Sequence, residues 1–340
     1  MAVYAVGMAV SGSHDALGQQ CREESAPRRW QRTMVLVREI NARLCDGGDD
    51  TRRQRPVRAA QDRASRARPH EVLVRHTAVG LNFLDVYHRS GLYPWAVERD
   101  LIPGSEAAGR VVAVGDGVED VRPGDRVAYT HPLGAYATAR VITADRLVPI
   151  PEGISDEEAA CLMLKGLTAK HFIHSTFRVE AGMSVLVHAA SGGGLLLGEW
   201  LAAKGATAIG TAGGPEKTEL ARAHGYAHVI DYRAEDFVSR VREITDSRGV
   251  HMVYDSVGRD TWRGSLDYLR TRGAFVNFGQ ASGLIEDFTI AALGKGSFTA
   301  AARSCSTASP TPPNCAGAPQ TYSPACSRDA SRRGSGSDIP

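Results

Sequence analysis

Residues 184–217 read SVLVHAASGGGLLLGEWLAAKGATAIGTAGGPEK. An apolar run, SVLVHAA, ends in three glycines, Gly192, Gly193 and Gly194, and the helical stretch GLLLGEWLAAKG follows. A second apolar run, TAIGTAG, then leads into EKTELARAHG. The rhythm continues outward through HVIDY, EDFVSRVREITDSRG, VHMVYDSVG, TWRGSLDYLRTRG and AFVNFGQ. Five near-continuous apolar strands separated by helices predict a parallel sheet covered on both faces, a doubly wound α/β domain over residues 166–298. Ligands of such domains sit at the carboxyl ends of the strands. Here those ends carry residues 189–194, 210–217, 231–232, 255–258 and 278–283.

The first of these ends carries the most chemistry. Glycines between a buried strand and a helix permit close backbone approach, and the helix start offers free N–H groups and a positive dipole to a pyrophosphate. The alternative is an ordinary tight glycine turn, and the five alternating units behind it favour the cofactor reading. The second strand end, GTAGGPEK, has no acid to hold a ribose 2′-OH. Glu216 is the first acid and lies inside the next helix. Lys217 beside it can pair a 2′-phosphate, so NADP is preferred over NAD; the alternative for Lys217 is a solvated helix residue.

Upstream, residues 71–150 are rich in strands and turns. EVLVRHTAVG alternates, NFLDVYHRSG is a short helix, and GSEAAGRVVAVGDGV is a strand ending in a Gly-Asp-Gly turn. PGD turns into the strand RVAYT, and GAYATARVITADRLVPI gives two more. This predicts a β-rich module, closed or nearly so, with one small helix. Ser155 then opens a helix through a capping box with Glu158. Cys161 on that helix reads as a small buried hydrophobe.

Composition bounds the rest. The chain has 340 residues, 43% apolar, with a net charge of +2, which supports two domains and gives no mandate for nucleic acid. No apolar run is long enough to span a bilayer, and no secretion signal is read, so a cytoplasmic protein without membrane contact is expected. The six cysteines form no CxxC pair and no zinc knuckle. Residues 1–70 form an atypical Arg-rich segment expected to have low order; the run 51–69 lacks periodicity and interleaved aromatics, so a nucleic-acid role is not expected. Residues 299–340 hold only Ile339 of the large apolar set and are expected to be disordered. Both ends have the composition of a coding sequence read out of frame.

The stretches VGLNFLDVYHRSGLYP, PGSEAAGRVVAVGDGV, PGDRVAY, GAYATARV, MLKGLTA, VLVHAASGG, GTAGGPEK, DSVGRDTW and FVNFGQASG together carry a family resemblance. The chain resembles the zinc-independent quinone oxidoreductases of the zeta-crystallin type, within the medium-chain dehydrogenase/reductase superfamily. The resemblance runs from Glu71 to roughly Ile290. It implies a GroES-like catalytic domain over 71–165, a Rossmann NADP-binding domain over 166–298, and NADPH in the cleft between them. It also implies zinc-independent hydride transfer to a quinone or another α,β-unsaturated carbonyl, and a homodimer.

Site residues follow from the same resemblance. Asn82 and Ser105 stand where zinc-dependent relatives place a Cys and a His ligand, so no metal is expected. Tyr93 is the candidate donor to the acceptor oxygen and Tyr87 the second; for each the alternative is an aromatic packed at a domain boundary. Asn82, Thr168, Gly192, Gly193, Gly194, Lys217, Tyr232, Ser256, Gly258, Arg259, Phe278 and Gly279 are expected beside the cofactor. His131 and His188 read as hydrogen-bonded structural residues.

Three departures from the family pattern bear on activity. The turn Ala189–Leu195 is one residue short, which shifts the helix by about 100° of phase or demands a local repair. The opening hairpins are not supplied by residues 34–70, and the last sheet strand is not expected after Gly296. The alternative reading is therefore an inactive, truncated or frame-disrupted paralogue that retains weak NADPH binding.

Overall fold

The computed structural model describes residues 67–93, 102–131 and 133–302, and the backbone of residues 2–4. The rest of the Arg-rich segment and of the tail, with the expectations made for them, lies outside the described residues.

The first module is a six-stranded sheet. Its strands are β1 (Ala2–Tyr4), β2 (Glu71–Gly80), β3 (Glu106–Val114), β4 (Arg126–Thr130), β5 (Ala139–Thr143) and β6 (Val148–Pro149). The order is β1-β2-β3-β4-β6, with β5 paired to β2. Alternation in β2 places Val72, Val74, Ala78 and Val79 in the interior, as period-two patterning requires. Its only α-helix among the described residues, α1 (Phe83–Ser90), ends at Gly91, whose φ of 77° suits a left-handed cap.

Among the described residues the ladder is open between β5 and β6, which keeps to a module closed or nearly so. The expectation of low order throughout residues 1–70 changes. The amino end of the chain does supply a strand: Ala2–Tyr4 run parallel to Ala78–Gly80. The reason is local. β5 covers only Glu71–Arg75 on that side of β2, so the remaining N–H and C=O groups of β2 offer an open edge.

Helix α2 (Asp156–Lys170) leaves the first module and enters the second. Its capping box forms as the sequence indicates, with Glu158 N–H donating to Ser155 Oγ at 3.1 Å and Ser155 N–H to Glu158 Oε2 at 2.8 Å. The helix packs on β2, β3 and β4 and also on α3 (Gly193–Ala203). It runs unbroken through residues 165–166, so the division expected there falls inside a helix. Cys161 is buried.

The second module is an all-parallel sheet of six strands. They are β7 (Ser184–Val187), β8 (Thr207–Ala212), β9 (His228–Asp231), β10 (Val250–Asp255), β11 (Leu269–Asn277) and β12 (Thr299–Ala302). The order β12-β11-β10-β7-β8-β9 reverses between β7 and β10, which is the switch point of a doubly wound sheet. Helices α3, α4 (Pro215–Ala223), α5 (Phe237–Ile244) and α6 (Trp262–Asp267) connect the strands. One apolar cluster, with Val185, Val187 and Leu201, fills one face. Another, with Leu186, Ile209 and Val253, fills the other.

The sixth strand corrects the expectation that nothing after Gly296 joins the sheet. Thr299 to Ala302 pair in register with Ala274 to Asn277. An edge strand needs main-chain pairing more than large side chains, and Ala300 still packs on the apolar cluster behind it. The helix expected over 261–273 is also shorter than its apolar pattern suggests. It ends at Asp267, and β11 begins at Leu269.

Candidate active site

The carboxyl ends of β7 and β10 meet at the switch point, and the glycine turn sits there. Ala189 and Gly192 both take positive φ, 58° and 65°. The turn closes with Gly194 N–H on the Ser191 carbonyl at 3.3 Å and Leu195 N–H on the Gly192 carbonyl at 3.1 Å. Gly194 has no room for a side chain, since a Cβ there would lie 2.5 Å from the Ala189 carbonyl oxygen. A Cβ on Gly193 would meet only the Lys165 stem, at 3.6 Å.

The turn is braced by the residues around it. Helix α3 starts at Gly193 and buries Gly194, Leu195, Leu197, Gly198 and Leu201 as one face. Tyr226, from the loop before β9, packs over Gly198 and Gly210 and donates its hydroxyl to the Gly194 carbonyl at 2.6 Å. Sequence reasoning missed Tyr226, because nothing in its local pattern points to a turn 32 residues away.

The end of β8 is shaped by small residues with cations around them. Gly213 lies under the Tyr232 hydroxyl and the Arg233 guanidinium, and Gly214 lies near Arg233 as well. Asp231 organises this corner by accepting from Gly214 N–H at 2.9 Å and Arg233 N–H at 3.0 Å. These amide donors hold its carboxyl below the usual range. Lys217 is half-buried on the first turn of α4. Arg233 was not singled out from sequence, although it follows Tyr232 directly.

Residues 255–259 and 278–283 form the third wall. Asp255 is fully buried and accepts from Val257 N–H, Gly258 N–H and the Thr261 hydroxyl. Gly258 pairs with Gly283, and Arg259 N–H donates to the Gly283 carbonyl at 3.2 Å. Gly279 lies against Ser256, where a Cβ would fall 2.5 Å from its carbonyl oxygen. The Ser256 hydroxyl donates to the His188 carbonyl at 3.3 Å. Phe278 packs on Phe172, with ring centroids 4.6 Å apart. Phe172 belongs to a π-helical turn (His171–Thr176) that continues α2, on which Thr168 lies.

The first module closes the cleft with polar contacts. Glu106 is completely buried and accepts from Asn82 Nδ2 at 2.9 Å, Leu164 N–H at 2.6 Å and Lys165 Nζ at 2.5 Å. Lys165 therefore joins the β-module to the glycine turn. Asp85 is the second buried acid. It accepts from the Ser105 hydroxyl at 2.9 Å, the Tyr136 hydroxyl at 2.8 Å and Asn82 N–H at 2.9 Å. Burial raises its carboxyl to about 6. Asn82 and Ser105 are thus both engaged with acids. Among the described residues no group of three His, Cys, Asp or Glu could hold a metal ion.

The two candidate tyrosines pack against each other at a tilt, with ring centroids 5.2 Å apart and planes at 53°. Tyr87 is buried, and its oxygen accepts from Gln280 N–H at 2.8 Å; burial pushes its phenol up to about 12. Tyr93 is half-buried, and burial raises its phenol too. His188 is buried between Thr211, Ser265 and Tyr268. His131 holds the Leu133 carbonyl at 3.0 Å. Both histidines are occupied by the fold.

Comparison with known proteins agrees with this geometry. Residues 68–152 match the family model of the alcohol dehydrogenase GroES-like domain, and residues 192–309 that of zinc-binding dehydrogenases. The quinone oxidoreductase of Pseudomonas aeruginosa is 48% identical over 227 residues, which cover 66% of this chain and 70% of that protein. The chain belongs to the quinone oxidoreductase family of the medium-chain dehydrogenase/reductases. Another relative of this family member is the 2-haloacrylate reductase of a Burkholderia species, 45% identical over 65% of this chain and 68% of that protein. Among solved structures, the Escherichia coli quinone oxidoreductase complexed with NADPH superposes with a TM-score of 0.69 at 41% identity. That match covers 72% of this chain and 76% of the other. The two modules are therefore the GroES-like and Rossmann domains of the family. No helix among the described residues is long and apolar enough to cross a membrane.

Proposed function

We propose that this quinone oxidoreductase family member reduces quinones or related α,β-unsaturated carbonyls with NADPH, without zinc. The observation that carries the reading is the switch-point cradle. Gly192, Gly193 and Gly194 leave the space a pyrophosphate needs, and the Gly213–Gly214 corner is ringed by Lys217, Tyr232 and Arg233. Two positive side chains around a turn with no acid directed at a ribose favour a 2′-phosphate over a free 2′-OH. The buried Oε1 of Gln280, which has no hydrogen-bond partner among the described residues, offers an acceptor to a donor entering the cleft beside Phe278 and Gly279. These features fit NADPH.

When bound, NADPH supplies the hydride. The chain's own residues hold, orient and protonate. Ser256, Gly258, Arg259, Phe278 and Gly279 form the wall on the β10 side, and Thr168 lies on the helix facing it. Tyr93 is the candidate donor to the acceptor oxygen, because it is half-buried beside Tyr87, whose own oxygen already binds Gln280. The reduction consumes one hydride and one proton, and the phenol of Tyr93 passes that proton on from solvent. Zinc independence is supported by the polar atoms of Asn82 and Ser105, which serve Glu106 and Asp85. A cytoplasmic homodimer completes the reading. The strand β12 leaves one side of the parallel sheet unpaired among the described residues, an edge suited to a second copy.

Titration of the full chain with NADPH and with NADH, followed by nicotinamide fluorescence, tests the binding half. Saturable NADPH binding with much weaker NADH binding is expected, then turnover of a quinone or an enone that falls steeply in Tyr93→Phe. Binding without turnover of either acceptor class would leave the inactive paralogue, a reading favoured by the shortened glycine turn.

A further inference from the structure

The amino ends of the parallel strands, opposite the cofactor cradle, form a groove of about 570 Å³. Ser184 at the start of β7, Thr207 at the start of β8, His251 on β10, and Arg270 and Thr271 on β11 line it, with Arg248 at the end of the preceding turn. No Asp or Glu is among its lining residues. The length of β7 alone separates this groove from the glycine turn by roughly 13 Å.

The hydrogen bonding of His251 is self-contradictory as it stands. Ser184 N–H points at Nδ1 at 3.0 Å, and the Ser184 hydroxyl lies 3.1 Å from the same nitrogen. On the other side the Arg270 guanidinium lies 2.6 Å from Nε2. A neutral imidazole has one accepting nitrogen, and an imidazolium has none. Both ring nitrogens face N–H donors, so every protonation state leaves a donor against a donor. The Ser184 amide is fixed by the strand, and that places the ring proton on Nε2, toward Arg270. Arg270 is exposed and pairs with no carboxylate among the described residues. Arg248 is different, because Asp246 and the Thr245 carbonyl hold it at 3.0 and 3.3 Å.

We propose that this groove binds a small tetrahedral oxyanion, free phosphate or the phosphoryl end of a metabolite, on the β11 side of His251, between Arg270, the Nε2–H of His251 and the hydroxyl of Thr271. An anion lodged there turns two opposed donors into two donors on a shared acceptor. A guanidinium, a ring N–H and a hydroxyl from two adjacent strands suit the several acceptor oxygens of a tetrahedral anion better than the two of a carboxylate. Charge-assisted bonds of this kind are the strong ones. The site is separate from the 2′-phosphate corner in sequence and in space, and does not rest on the proposed reductase activity.

The test uses the full chain with isotope-labelled histidine rings, the His251 signals being assigned by their loss in His251→Gln. Inorganic phosphate and glycerol phosphate are each titrated at fixed pH and ionic strength against chloride. Saturable movement of the His251 signals with phosphate, absent with chloride, is expected. In Arg270→Gln the apparent affinity should fall about tenfold, as loss of one charge-assisted bond predicts, while Lys217→Met should leave it unchanged. Tighter binding of glycerol phosphate would identify a metabolite's phosphoryl end as the ligand, and equal binding would identify free phosphate. Static His251 signals, equal movement with chloride, or an Arg270→Gln titration matching the parent would each overturn the proposal.

Discussion

The phenolic oxygen of Tyr87 accepts a 2.8 Å hydrogen bond from the backbone N–H of Gln280, a residue 193 positions further along the chain. The bond ties α1 of the GroES-like domain to the loop after β11 of the Rossmann domain, at the mouth of the cleft. In the proposed reaction Tyr87 is a positioning residue, and Tyr93, packed against it at a tilt, is the proposed donor to the acceptor.

Tyr87→Phe removes the acceptor and leaves the Gln280 amide without its partner. A loss of about 1 kcal/mol in stability is expected from denaturant unfolding. Steady-state kinetics should show KM for the acceptor rising while kcat changes less than in Tyr93→Phe. The reverse order of the two kcat effects would make Tyr87 the donor.

Glu106 and Lys165 form a buried ion pair, with side-chain exposures of 0% and 12%. Taking away one member strands the other charge away from water. Glu106→Gln and Lys165→Met should each destabilise by roughly 3–5 kcal/mol. The double substitution Glu106→Gln/Lys165→Met should cost clearly less than the sum of the two single losses, because neither charge is then left alone. Additive losses in chemical denaturation would mean that the pair is not coupled.

The parallel sheet was legible in the sequence because each strand is buried on both faces and so reads as an apolar run. The capping box at Ser155 and Glu158 was legible because its two bonds are local. What escaped depends on main-chain edges or on distant partners. Ala2–Tyr4 and Thr299–Ala302 pair through backbone groups, and their side chains announce nothing. Glu106 sits as a lone acid in SEAAG, yet its partner Lys165 lies 59 residues on, and no local pattern joins them. The cofactor glycines could be found from their place between strand and helix. Arg233 and Tyr226 could not, since each reaches its glycine from the segments flanking β9.

Tyr226 ties the glycine turn to the chain 32 residues away through its hydroxyl on the Gly194 carbonyl. Tyr226→Phe keeps the ring over Gly198 and Gly210 but leaves the Gly194 carbonyl without its buried donor. We expect about 1–2 kcal/mol of lost stability and an NADPH dissociation constant raised several-fold, with kcat at saturation nearly unchanged. Fluorescence titration against steady-state kinetics separates this positioning effect from a general loss of fold, which would lower kcat and the active fraction together.

Asp85 carries a pH signature of its own. Burial raises its carboxyl from 3.8 to about 6, against the opposing hydrogen bonds from Tyr136, Asn82 and Ser105. The folded state therefore holds a proton that the unfolded state has released between about pH 4 and 6. Stability falls with rising pH wherever the native state binds more protons. This group's contribution is thus full below about pH 4 and lost as pH rises through 6, a change of roughly 3 kcal/mol. In Asp85→Asn the side-chain oxygen can still accept from Tyr136 and Asn82, and the Ser105 hydroxyl can rotate to accept from the new amide. The variant should fold, and its unfolding free energy should lack the parent's downward slope between pH 4 and 6. Parallel pH profiles for the two proteins would show that Asp85 takes up no extra proton on folding in that range, and would overturn this assignment.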